Sequence, residues 1–221
     1  QERDWEQLGL KISRATMANW TIYTGINLFL PVVDRLWELL MKRDLLHCDE
    51  TRVQVLHEDG RKATTQSYMW LACSGNDGLP KIIYYRYTPT RAGANAVKLL
   101  ADFEGTYLIC DGYQGYNAVV KFHKDLIRCG CWAHLRRKFT DAIPTKDGKE
   151  IPGSPAIEGR NLIDKLFLVE SILSDKSPEE RTRIRKELEV PILNSFWEWL
   201  DKQKPVSGSR FAAAVNYAKN Q

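Results

Sequence analysis

Two apolar runs, each closing on a cysteine followed by an aspartate, constrain this chain more than any other feature: Leu45-Leu46-His47-Cys48-Asp49-Glu50-Thr51 and Tyr107-Leu108-Ile109-Cys110-Asp111-Gly112-Tyr113. Short runs of this composition read as buried strands, and aspartate is a poor strand residue unless its charge is needed there. Side chains alternate along a strand, so Cys48 and Cys110 point away from the acids into apolar packing. The two strands then deliver Asp49 and Asp111 to a common edge. A pair of carboxylates on neighbouring strand ends is a ligand set for a hard cation, Mg²⁺ or Mn²⁺. The competing reading has each aspartate capping the turn after it.

The segments around these runs define the fold class. Leu45–Cys48, Arg52–Leu56, Tyr68–Ser74 and Ile82–Tyr87 read as a meander of four strands, punctuated by Glu58-Asp59-Gly60 and Gly75-Asn76-Asp77-Gly78. Thr90 caps a helix through Phe103, with Ala92, Ala96, Leu99, Leu100 and Phe103 on its apolar face. A fifth strand at Thr106–Cys110, a short helix at Tyr116–Phe122, a strand at Leu126–Cys129 and a basic helix at Trp132–Ala142 come next. Antiparallel strands first and alternating strand and helix afterwards predict an α/β mixed sheet with helices on its faces.

Three segments result: 1–43 helical, 44–143 the mixed sheet, and 144–221 all helical. In the first, Trp5–Leu8, a turn at Gly9–Ile12 and a helix from Arg14 capped by Ser13 have helix-turn-helix spacing, which a plain helical hairpin shares. Ile22, Ile26, Leu28, Leu30, Val33, Leu36 and Leu40 continue the helix, with Pro31 kinking or splitting it, and predict packing against the strand segment. In the third, Pro144, Gly148, Pro152, Gly153 and Pro155 make a loop. Beyond it lie two amphipathic helices, the second started by Ser177-Pro178-Glu179-Glu180. Their apolar faces are too broad to leave in water, so Leu166, Val169, Leu193, Phe196 and Trp197 are expected to be buried.

Composition narrows the setting. The 221 residues contain no run of the length a membrane span needs, and Gln1-Glu2-Arg3-Asp4 lacks the pattern of a signal peptide. Five cysteines, four of them in strand-like runs, suit a reducing compartment without disulfides. The expectation is a cytoplasmic protein. A net charge of +4 says little about nucleic acid, so local clusters of cations matter more.

Three strings, Cys48-Asp49-Glu50-Thr51, Cys110-Asp111-Gly112-Tyr113-Gln114-Gly115-Tyr116 and Cys131-Trp132-Ala133-His134-Leu135-Arg136-Arg137-Lys138-Phe139, resemble in order and spacing the core of bacterial IS66-type insertion-sequence transposases. The resemblance implies an RNase H-like catalytic core of the acidic-triad class, with N-terminal helices and an all-helical insertion. It implies that Asp49 and Asp111 are the first two metal-binding acids, on the first strand and at the end of the fourth. It also implies two divalent ions in a complete site, DNA cleavage and strand transfer, element ends and target DNA as partners, and a homo-oligomer assembled on DNA. The family's third acid is a glutamate in an asparagine-rich stretch beyond the helical insertion. No such stretch occurs here, so the chain reads as a fragment that is inactive alone. Glu170 and Asp141 are the substitutes within it.

Phosphodiester transfer needs an attacking and a leaving oxygen held in line while charge grows between them, which carboxylate-held ions accomplish. Arg136, Arg137 and Lys138 on the basic helix are candidates for phosphate binding, although at most two can face one partner. His134 reads either as orienting phosphate or water or as a hydrogen-bonded structural histidine, and Gly112 and Gly115, flanking Tyr113, either let it meet a DNA strand or simply shape a turn. Cys129, Cys131 and His134 also suggest zinc, but lack a fourth ligand at the usual spacing. Two other classes fit parts of the pattern: an RNase H-like nuclease without strand joining, and a non-catalytic helix-turn-helix DNA-binding protein.

Overall fold

Ser13 accepts a hydrogen bond from the Thr16 amide at 3.0 Å and so starts α2 (Arg14–Thr24), which Gly9, at φ +80°, separates from α1 (Glu2–Gln7). The helix continues through a π turn, Gly25–Phe29, into α3 (Leu30–Met41). Pro31 has no N–H to donate and its ring crowds the preceding turn, so the backbone widens there instead of breaking. Packing against the strand segment is realised only at the helix end. Leu40 and Met41 are buried and the Trp37 ring lies 4.4 Å from that of Tyr84, whereas Trp20, Ile22, Ile26, Leu28, Phe29 and Val32 are exposed.

In this computed structural model, which describes all of Gln1–Gln221, the chain forms two units, Gln1–Arg128 and Cys129–Gln221. The sheet of the first is built from β1 (Leu45–Gln54), β2 (Gln66–Ser74), β3 (Ile83–Thr88) and β4 (Tyr107–Cys110), with β5 (Ile127–Gly130) at its edge, in the order β3-β2-β1-β4-β5. β1, β2 and β3 are an antiparallel meander, and β4 runs parallel to β1. This is the mixed α/β sheet expected of an RNase H-like core. One expectation needs correction. The segments read as two strands, Leu45–Cys48 and Arg52–Leu56, are a single ten-residue strand, because β2 pairs with every residue from Leu46 to Gln54 and carries the acidic residues through the ladder.

α4 spans Gly93–Leu99, shorter than expected, with Ala92 rather than Thr90 at its N-cap. Thr90 instead receives the Asn95 side-chain amide on its carbonyl and hydroxyl oxygens, at 2.7 and 3.1 Å. Leu99, Leu100 and Phe103 still enter the core, joined by Tyr116 and Val119 of α5 (Gly115–Phe122). α4 and α5 approach closely where two glycines meet: a Cβ on Gly93 would lie 3.2 Å from the Gly115 Cα. Trp70, Leu46, Leu108, Cys48 and Cys110 fill the same core.

In the second unit α6 (Trp132–Ala142) has the expected bounds. The expected loop contains a two-stranded hairpin, β6 (Thr145–Lys146) and β7 (Lys149–Glu150). Its turn residues Asp147 and Gly148 have φ of 52° and 76°, the primed-turn conformation an Asp-Gly pair favours. α7 (Pro155–Ser171), α8 (Pro178–Ile184), α9 (Val190–Asp201) and α10 (Arg210–Asn220) complete the chain. A capping box between Ser177 and Glu180 starts α8, and a π turn, Arg185–Glu189, precedes Pro191 as one precedes Pro31.

Phe139, Ile163, Phe196, Leu200 and Val215 form this unit's core. Leu166, Val169 and Phe196 are buried as expected and Leu193 is half-buried, but Trp197 is 42% exposed. Trp197 lies about 100° around the helix from Phe196, and Trp199, on the side of Phe196 and Leu200, takes the inward place. No helix of the chain is long and apolar enough to cross a membrane.

Candidate active site

The site lies where β1 outlasts its parallel neighbour. Pairing between β1 and β4 runs Leu45 with Tyr107, Leu46 with Leu108 and His47 with Ile109, while β1 remains paired to β2 on its other side. Continued by two residues, this register sets Cys48 beside Cys110 and Asp49 beside Asp111. In-register residues of adjacent parallel strands share a face, with strands about 4.8 Å apart. Cys48 and Cys110 are buried, 3% and 1% exposed, which turns the flanking acids from that apolar layer. Burial pushes the Cys110 thiol up to about 11, so it is neutral.

Each aspartate is held by backbone. Asp49 Oδ1 accepts from the Glu50 amide at 2.9 Å, and Asp111 Oδ1 accepts from the Tyr113 amide at 2.9 Å, which folds the chain sharply after β4. Arg128 fixes the same strand end: Nη2 donates to the Asp111 carbonyl at 2.7 Å, Nε to Cys110 Sγ at 3.2 Å and Nη1 to Asn117 Oδ1 at 2.8 Å. Asp49 is half-buried and the Asp111 side chain is 20% exposed.

Glu50 is the acid that sequence reasoning passed over. Its side chain is 1% exposed, yet it accepts from Arg91 Nε at 2.7 Å, from Arg91 Nη2, and from the Tyr116 hydroxyl at 2.9 Å. Burial pushes its carboxyl up, and the hydrogen bonds from Arg91 and Tyr116 oppose that shift. Burial also pushes the Tyr116 phenol far up, so it stays a donor. Arg91, in the loop before α4, lies 3.8 Å from Asp111 Oδ2 and 4.0 Å from the centroid of the Tyr113 ring, and its carbonyl accepts from the Tyr113 hydroxyl. Tyr113, expected to meet DNA, is therefore bound to Arg91. Glu50 had a visible signal, a second acid beside Asp49; Arg91 had none.

Chemically, Asp49 and Asp111 offer carboxylate oxygens from aligned strand positions and are partly exposed, which fits a magnesium-type ion that keeps several waters. No cluster of three or more His, Cys, Asp or Glu side chains in holding geometry occurs. The zinc reading fails with that observation. Cys131 and His134 do interact: burial works against ionisation of the Cys131 thiol, but the His134 hydrogen bonds prevail and hold it below its ordinary value.

The remaining expected residues belong to the second unit. Arg136 is engaged by Asp164, Nε to Oδ1 at 2.5 Å, which takes it out of the set of free cations. Arg137 and Lys138 are exposed, the Lys138 ammonium 5.8 Å from the centroid of Tyr217. Glu170 receives Arg185 on both oxygens at 2.6 and 2.8 Å, and Asp141 is exposed.

Similarities to known proteins place the chain in a family. Three uncharacterized proteins of Sinorhizobium fredii (strain NBRC 101917 / NGR234) share 28%, 27% and 30% identity with this chain over 99%, 95% and 89% of its length, and 41%, 42% and 37% of theirs. The chain thus spans about two fifths of the length of these relatives. Among solved structures, the catalytic core domain of BIV integrase matches with 14% identity and a TM-score of 0.28, covering 80% of this chain and 99% of that one, a likeness too slight to carry any weight. The family model described as Transposase IS66 family matches residues 1–221, so the chain belongs to the IS66 transposase family.

Proposed function

We propose that residues 1–221 carry the first two acids of a metal-dependent DNA phosphoryl-transfer site, and that the transposase containing them cuts the ends of an insertion element and joins them to target DNA. The observation that supports this most is the alignment of Asp49 with Asp111 in a member of this family. Divalent ions, when bound, supply charge neutralisation at the attacking and leaving oxygens. The two aspartates would hold them, Asp49 from inside the β1 ladder and Asp111 from the turn after β4. Arg128 and the Tyr113 amide keep Asp111 from swinging away.

We place the third acid outside these residues. Glu170 is occupied by Arg185, and no third carboxylate stands with Asp49 and Asp111 in holding geometry. Arg137 and Lys138 serve as phosphate contacts, and several copies assemble on the DNA. The test is cleavage and strand transfer of element-end DNA by a transposase of the relatives' full length carrying this chain. Asp49→Asn and Asp111→Asn should each abolish both steps while DNA binding persists. Cleavage that survives either change removes that residue from the chemistry.

A further inference from the structure

We propose that Arg91 binds a non-bridging phosphate oxygen of DNA at the acid site, with Glu50 and Tyr113 as the positioning residues that aim it. This rests on the two-acid reading above and names the group on the protein that receives the substrate.

A carboxylate buried as fully as Glu50 is poorly explained by stability. Taking the Glu50 charge from water costs about as much as its attraction to Arg91 returns. What the pair achieves is direction. Arg91 directs Nε and Nη2 to the same Glu50 oxygen, its guanidinium lies over the Tyr113 ring, and its backbone carbonyl is held by the Tyr113 hydroxyl. Nη1 is left with no partner in the chain, on a side chain that is 37% exposed. The 3.8 Å from Nη2 to Asp111 Oδ2 is longer than a hydrogen bond, so Asp111 has not consumed the guanidinium.

A fixed, permanently charged planar donor beside two metal-type carboxylates matches a phosphodiester in both charge and shape. It neutralises charge that the carboxylates alone would repel, and it needs no reorganisation when the phosphate arrives. Tyr113 couples the two halves: its amide holds Asp111 and its ring and hydroxyl hold Arg91, so acid and cation keep a constant relation.

The experiment measures the affinity of the chain for a short mixed-sequence DNA duplex as a function of salt, with Mn²⁺ binding followed separately by electron paramagnetic resonance. Arg91→Gln is made alone and together with Glu50→Gln, so that no buried charge is left unpaired, and circular dichroism establishes that each variant is folded. Loss of one phosphate contact should lower the slope of log affinity against log salt by about 0.9, with Mn²⁺ binding kept. Arg91→Lys should keep the slope, because the charge remains. An unchanged slope in the folded double variant overturns the proposal and leaves the pair a structural one. Loss of Mn²⁺ binding in that variant also overturns it, since Arg91 would then act by holding the acids. Failure of the two-acid reading shows elsewhere, as Mn²⁺ binding that Asp49→Asn and Asp111→Asn leave intact.

Discussion

Phe196→Ala tests whether the second unit, Cys129–Gln221, is a packed body with its own core. Phe196 is 0% exposed, and its ring centroid lies 5.1 Å from Trp197, 5.4 Å from Trp132, 6.0 Å from Trp199 and 6.2 Å from Phe139. Truncating a buried phenylalanine loses its transfer free energy and leaves a cavity, about 3–5 kcal/mol together. The aromatic pairs contribute about 0.5–1.5 kcal/mol each, but they share one ring and do not add, so the upper half of that range is expected. Against a total stability of about 5–15 kcal/mol the loss is large. For a body of this size it corresponds to a fall in Tm on the order of 15–30 °C. Trp197→Ala, one residue on and 42% exposed, should cost only about 1 kcal/mol. Thermal unfolding followed by circular dichroism measures both. Equal effects, or a larger one at Trp197, would refute the inward placement of Phe196 and with it the closed helical unit.

The remaining predictions concern the site and its surroundings. Asp111→Asn and Asp49→Asn should each remove Mn²⁺ binding yet change stability by no more than about 1–2 kcal/mol, since only partly exposed carboxylates change; an isotherm identical to wild type argues against ligation. The 221-residue chain should show no Mg²⁺-dependent strand transfer, and robust activity would point back to Glu170 or Asp141 as the third acid. Gly115→Ala places a methyl group onto the Tyr113 ring, which must move off Arg91, at a cost of about 1–3 kcal/mol; an unchanged Tm would show the ring free to yield. Glu189 is pushed up to about 7 by burial and by its hydrogen bond with Glu170. A folded-state value above the ordinary 4.5 gives stabilisation that is complete below 4.5 and lost as pH rises through about 7. Glu189→Gln should therefore gain stability relative to wild type between about pH 5 and pH 8, and parallel urea midpoints at the two pH values would contradict this.

The range of the interactions involved decides which features the sequence made legible and which it hid. The caps at Ser13 and Ser177, the bounds of α6 and the strands bearing Asp49 and Asp111 depend on neighbours three or four residues away or on alternation, and each was readable. The merging of two expected strands into β1 was not, because an interior aspartate is tolerated there only through the nine-residue ladder with β2. The choice between Trp197 and Trp199 for the core was equally hidden. Both are large aromatics on one helix, and only the partners on α6 and α10 decide which faces inward. The hairpin at Asp147-Gly148 did carry a local signal, which the surrounding prolines and glycines masked.

The acid site shows the same division within a few residues. Asp49 and Asp111 declare themselves because an acid in an apolar run is locally anomalous. Glu50 comes directly after Asp49 in the same string but its side chain is 1% exposed, and its partner Arg91 is 41 residues away in a polar loop where an arginine is unremarked. A sequence reading that weights local anomaly finds the two aspartates and misses the buried ion pair beside them. The geometry accounts for this. An acid in an apolar run is visible at its own position, whereas the Glu50–Arg91 pair exists only after β1, the loop before α4 and the turn after β4 have met. The sheet edge is what brings them together: β4 ends at Cys110 while β1 continues to Gln54, and Glu50 sits in the stretch of β1 that β4 leaves unpaired, where a loop can reach it.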